Sequence, residues 1–234
     1  MTIQNKQEDE SKLRVGPLKS QLTLSIHSHF AITLWRGRKK KKKEDSDRVS
    51  RWMIPSVPLF LSRVSGIHDD ALKGLLFAEM WLYRLEQALE QGMKSVQEQL
   101  RSVESQLSVL PEQIVISDIT SSAPVNLEVY SRTPMGYRCV WLLVGIDRLA
   151  LRVQQGYHYG LLSRQKRDKY LDNAGYQIRR VLGMSIAYRQ LPITRDNLDL
   201  NSETYQQASR YLGEIDPDII SGKKRASFLP VLKK

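Results

Sequence analysis

A mainly α-helical fold with short β-strands, organised around one strand–helix–helix unit and elaborated by a long helix and extra strands, is what this sequence predicts. Three patterns carry that expectation. Residues 125–130 alternate, with Val125, Leu127 and Val129 on one face and Asn126, Glu128 and Tyr130 on the other, as in a strand with one buried side. Residues 139–153 and 171–182 then repeat apolar side chains at steps of three and four, the signature of two amphipathic helices. Upstream, an apolar series from Leu82 to Leu110 keeps heptad spacing and suits one long helix.

The central unit runs from Val125 to Leu182. Pro134 and Gly136 end the alternating run, and Cys139, Leu142, Leu143, Ile146, Leu149, Ala150 and Val153 form the apolar face of the first helix. Gly156 and Gly160 bracket an aromatic turn, Tyr157-His158-Tyr159. Ser163 stands at an N-cap, and Leu171, Ala174, Ile178, Val181 and Leu182 line the second helix. Strand, helix, glycine turn, helix is the order of a ribbon-helix-helix unit. A lone strand leaves its ladder groups unpaired, so in that architecture two subunits pair their strands and the ribbon enters the major groove. The outward residues Asn126, Glu128, Tyr130 and Arg132 are then the candidates for base edges. Ser163, Arg164, Lys166 and Arg167 crowd the start of the second helix, where cations oppose the helix dipole and suggest an external anion such as phosphate. The same pattern also fits an ordinary helical hairpin with a solvated basic turn.

A second alternating run is a rival ribbon. Leu22, Leu24 and Ile26 point one way and Gln21, Thr23, Ser25 and His27 the other, and small polar groups suit base edges. About two helical turns follow from Phe30 to Trp35 and end at Gly37. The sequel counts against this run: a charged loop arrives where a compact second helix is expected. Its core, RGRKKKKK, is cationic at seven of eight residues and cannot pack. Arg36, Arg38, Lys39 and Lys40 join the phosphate-contact candidates as groups that add affinity without reading sequence.

Elsewhere the chain reads in three parts. Residues 1–16 are an expected disordered arm, 17–190 the domain that holds the strand–helix–helix unit, the long helix and a lysine-rich loop at 36–48, and 191–234 a C-terminal extension with a mobile basic tail. Pro55 and Pro58 open a short helix, Leu59 to Val64, ending near Gly66. The long helix is expected at about 69–109, with a four-residue stutter between Leu89 and Met93, either packed on its own domain or serving as a coiled-coil arm. Residues 113–117 (QIVIS) read as a strand. Ser202 caps a helix reaching Leu212.

The formal net charge is +11, and six of the positive charges lie in one run, Arg38 to Lys43, so the excess is partly local and partly general. Both parts fit a polyanion such as double-stranded DNA better than a membrane. The single cysteine, Cys139, excludes an internal disulfide framework and reads as a core residue. With no signal pattern at the start and no apolar run near the roughly 20 residues a bilayer requires, a cytoplasmic protein is expected. No phosphate-binding glycine loop, nucleophile elbow or metal-ligand spacing occurs, so neither an enzyme nor a cofactor is expected. His27 and His29 have no cysteine nearby and no third matched ligand, so a zinc site is not expected there.

Three blocks, LTLSIHSHFAITLWRGR, WLYRLEQAL and PMGYRCVWLLVGIDRLALRVQQGYHYGLLSRQKRDKYLDNAGYQIRRVL, resemble the AcaB-like family of integrating conjugative elements and large conjugative plasmids. The similarity spans about residues 18–190. It implies a homodimeric ribbon-helix-helix activator that turns on transfer genes and, as an activator, meets RNA polymerase. The lysine tract and Glu128 depart from the family's pattern. Two other classes fit the residues: a relaxosome accessory protein that binds DNA structurally, and an RNA-binding or protein-interaction module built on the long helix.

Overall fold

The computed structural model of the protein describes residues 22–38, 53–111 and 113–232. Strands β1 (Leu22–Ile26) and β2 (Val125–Val129) pair antiparallel, with Leu24 opposite Leu127, and form a two-stranded sheet. The two alternating runs, expected as rivals for a strand shared between subunits, are therefore partners within one chain. The ladder that a second subunit was expected to supply is already satisfied.

Helix α1 (His29–Arg36) follows β1 directly. Ser28 caps it by accepting the Ala31 N–H, and Gly37 closes it at φ 64°, where its N–H reaches Thr33. Helix α2 (Val57–Leu72) is capped by Ser56 and runs through Gly66, not stopping there as expected. A glycine in mid-helix costs only about 1 kcal/mol, and the buried face of Phe60, Leu61, Val64, Ile67 and Ala71 outweighs it. The break falls instead at Gly74 (φ 82°), so the expected helix from 69 onward is two helices, α2 and α3 (Leu76–Leu107).

Helix α4 (Pro134–His158) starts at Thr133, whose hydroxyl accepts the Gly136 N–H, with Pro134 in the first turn where its missing N–H costs nothing. It extends through Gly156, so Tyr157 and His158 belong to its last turn and the bend runs from Tyr159 to Leu162. Helix α5 (Arg164–Ala187) begins at the Ser163 cap.

Helix α3 packs against α2, α4 and α5, and α4 against α5. Of the heptad positions, Leu82, Leu85, Leu89, Val96 and Val103 are buried, while Met93, Leu100 and Leu107 pack against the core from its edge. The long helix thus spends its apolar seam inside its own chain. Gly92 admits Leu142 of α4, whose Cδ2 lies 3.2 Å from where a Cβ would stand. Cys139 is wholly buried, and burial pushes its thiol pKa well above the usual range.

QIVIS forms no strand. Ile114 and Val115 are exposed, and the segment is tied to α4 by side chains: Gln155 Nε2 donates to the Ser117 carbonyl at 2.8 Å and Arg152 pairs with Asp118 at 2.7 Å. Helix α6 (Glu203–Leu212) is capped by Ser202 as expected, and a short turn, α7 (Pro217–Ile220), follows. The basic tail, expected to be mobile, packs as far as Leu232. Ala226 is buried, Arg225 pairs with the buried Glu79 at 2.9 Å, and Lys224 bridges Asp216 and Asp218. No helix among the described residues is long and apolar enough to cross a membrane.

Candidate nucleic-acid interface

The ribbon has one apolar and one polar face. Leu24, Ile26 and Val129 are buried, and Leu22 and Leu127 pack on the core beside them. On the other side the register sets Thr23 opposite Glu128 and Ser25 opposite Asn126, all four exposed. Ser25 Oγ donates a 2.6 Å hydrogen bond to Asn126 Oδ1 across the strands. That bond ties the amide to the exposed face of the ribbon.

A buried carboxylate holds this ribbon to the helices. Asp147 of α4 accepts the backbone N–H groups of His27 (3.0 Å) and Ser28 (2.8 Å), where β1 gives way to α1. A negative charge at a helix N-terminus is favourable both through the free N–H groups and through the dipole. Sequence reasoning did not single out Asp147, although a charged residue directly after Ile146 on the apolar face of a helix was a usable signal. His27 belongs to the same frame: its Nδ1 accepts the Ser121 N–H at 3.2 Å, which takes it off the base-reading face.

The remaining ribbon candidates lie at the end where β2 leaves the sheet. Tyr130 is 75% exposed, whereas Arg132 turns toward Asp69 at 3.8 Å. Here a groove of about 350 Å³ is lined by Trp35, Pro58, Leu61, Glu128, Tyr130 and Arg132. It joins the end of α1 and the start of α2 to the end of β2.

The cationic candidates separate into two places. Arg36 is exposed on the last turn of α1, and the backbones of Arg38 and Ile54 exchange hydrogen bonds of 2.8 and 2.9 Å that close the base of the lysine-rich loop. Trp35 and Pro58 flank the Arg38–Ile54 bridge in sequence and line the groove, at the β2 end of the ribbon. Gln21, Lys39 and Lys40 lie outside the described residues.

Arg164, Lys166 and Arg167 stand elsewhere. Helix α4 holds the ribbon through Asp147 and reaches His158 roughly 16 Å further on, at about 1.5 Å per residue, before the turn into α5. Several of these groups also find partners inside the chain. Asp168 pairs with Arg167 at 2.7 Å and Arg164 at 3.8 Å, Arg167 stacks over Tyr157 at 4.3 Å, and Lys166 Nζ donates to Gln106. Asp168 and Tyr157 thus supply part of the compensation that was expected from an external anion. Ser163 spends its hydroxyl on the cap.

One objection drawn from the sequence falls. Beyond β1 come the eight-residue α1 and, past the lysine-rich loop, the 16-residue α2. The order strand–helix–helix is met by β1-α1-α2 as well as by β2-α4-α5. The helix expected from Leu59 to Val64 is this second helix, set further along the chain than the compact motif was expected to place it.

With this geometry in place, the comparisons are specific. The family model described as transcriptional regulator AcaB matches residues 14–233. No curated protein matches the chain. Among solved structures, the crystal structure of selenomethionine-containing AcaB from uropathogenic E. coli superposes with a TM-score of 0.50 at 12% identity, covering 87% of this chain and 95% of that one. At that identity the likeness concerns the fold.

Proposed function

The chain belongs to the AcaB family of transcriptional regulators, and from that premise we propose that it is a sequence-specific DNA-binding regulator whose intrachain ribbon enters the major groove. The observation that carries this reading is the exposed face of Thr23, Ser25, Asn126 and Glu128, polar throughout, backed by an apolar face held on the core. Each of the four can donate to or accept from a base edge. Arg36 and the lysine-rich loop at the β2 end supply sequence-independent phosphate contacts, and β1-α1-α2 is the DNA-binding unit.

We carry the family resemblance further and assign the regulator to activation of conjugative transfer genes, acting as a homodimer on double-stranded DNA. The ribbon no longer requires a second subunit. Exposed Trp141 and Val144 of α4 and Val125 of β2 provide apolar surface for pairing two copies.

Footprinting on promoters of the element that carries the gene, with titrations on operator and random duplex at several salt concentrations, tests the proposal. A sequence-specific regulator binds its operator on the order of 10³-fold or more tightly than random DNA. A ratio near one, with a steep salt dependence on both, refutes it and leaves a structural DNA-binding protein.

A further inference from the structure

We infer that the ribbon reads an adenine with Asn126 and, two base-pair steps away, a cytosine with Glu128, and that Ser25 is the positioning residue that sets the Asn126 amide for the first contact. This rests on the ribbon being the reading face, as proposed above.

The geometry of the Ser25–Asn126 pair comes first. The 2.6 Å bond from Ser25 Oγ occupies one of the two lone pairs of Asn126 Oδ1. The amide keeps the other lone pair and its N–H donors, a side-by-side acceptor and donor matching the N6 amino group and N7 of adenine. The bond holds the amide against rotation about its side-chain torsions, so its remaining acceptor and donor sites stay on the exposed face of the ribbon.

Glu128 supplies the second half. It is exposed on the same face, and among the described residues no cation pairs with it; Arg132, four residues on, is turned to Asp69. Thr23 opposite it carries no charge. An unpaired carboxylate facing a polyanion is repelled unless it accepts from a base donor, and the cytosine N4 amino group is the base edge that pairs with a carboxylate. Asn126 and Glu128 lie two residues apart on one strand, roughly 6.8 Å. Duplex DNA rises about 3.4 Å per base pair, so a strand laid along the groove sets the two contacts two steps apart.

The test is selection from a pool of duplexes randomised at their centre. The full chain and the variants Ser25→Ala, Ser25→Thr, Asn126→Ala and Glu128→Gln are used, each checked by circular dichroism. The wild-type consensus is expected to hold A·T and C·G pairs two steps apart. Asn126→Ala flattens the adenine column, costing roughly 5- to 150-fold on the operator. Glu128→Gln flattens the cytosine column while strengthening binding to random duplex, since a repulsive charge is gone. Ser25→Ala lowers the adenine preference roughly three- to tenfold, and Ser25→Thr, which keeps the hydroxyl, restores it.

A consensus without the adenine and cytosine, a different spacing, or an adenine preference indifferent to Ser25→Ala overturns the inference and spares the ribbon reading. Should Asn126→Ala and Glu128→Gln select the wild-type consensus unchanged, or the wild type select none, both fail together.

Discussion

Replacing Glu79 by glutamine exposes what holds the C-terminal segment in place. Glu79 is only 1% exposed and faces two guanidinium groups. Arg195 bonds both carboxylate oxygens at 2.7 Å, and Arg225 adds a bond of 2.9 Å. Arg195 also donates to the carbonyls of Ile219 and Ile220, and Arg225 to that of Pro230, so through two arginines one carboxylate on α3 ties down much of the chain beyond residue 190. Glutamine keeps the volume and removes the charge, which leaves two cations stranded. Deleting one partner of a buried ion pair costs about 3–5 kcal/mol. The arginine side chains keep 23% and 15% exposure, which favours the lower end, about 3 kcal/mol. For a chain of this size a urea slope near 3 kcal/mol per molar puts the midpoint down by about 1 M. A companion variant separates the missing attraction from the stranded charge: Glu79→Leu with Arg195→Met and Arg225→Met removes all three charges and should lose far less. A Glu79→Gln midpoint within about 0.3 M of wild type would refute the reasoning.

Three further outcomes are expected. Asp147→Ala strips the His27 and Ser28 N–H groups of their charged acceptor; it should cost about 2 kcal/mol in urea unfolding and loosen operator binding, and unchanged values for both would sever the proposed link between α4 and the ribbon. Changing Arg38 to Lys43 to glutamine should weaken operator and random duplex alike and flatten the plot of log K against log salt by roughly 0.9 for each phosphate no longer neutralised; an unchanged slope places the tract in solvent. Cys139 should resist thiol reagents at neutral pH except through unfolding, because it is buried and its pKa is raised. The buried thiol keeps its proton, so the stability linked to it is intact below the unfolded-state pKa of about 8.5 and declines as pH rises beyond it; Cys139→Ala should show a shallower alkaline loss, and parallel curves would contradict the linkage.

Whatever could be read from neighbours along the chain was legible without the fold. The apolar steps of α4 and α5, the Ser163 and Ser202 caps and the place of Cys139 in the core are local patterns, because helices close their hydrogen bonds within a few residues. The four polar residues of the ribbon were legible too, as two separate alternations. That they share one face was not, since Ser25 and Asn126 are 101 positions apart and a strand's hydrogen-bond groups carry no record of their partner. The same limit explains the other departures. Burial of its apolar face carried α2 past Gly66, and QIVIS, with no neighbouring strand among the described residues, stays irregular. Two buried glutamates, Glu79 and Glu86, drew a basic tail onto α3: Arg225 pairs with the first, and the Ser227 N–H donates to the second. Charge in the sequence says that a lysine or arginine needs a counter-ion or water. Only the packed structure decides which, because the desolvation that makes a carboxylate seek a cation exists once the helices around it have closed.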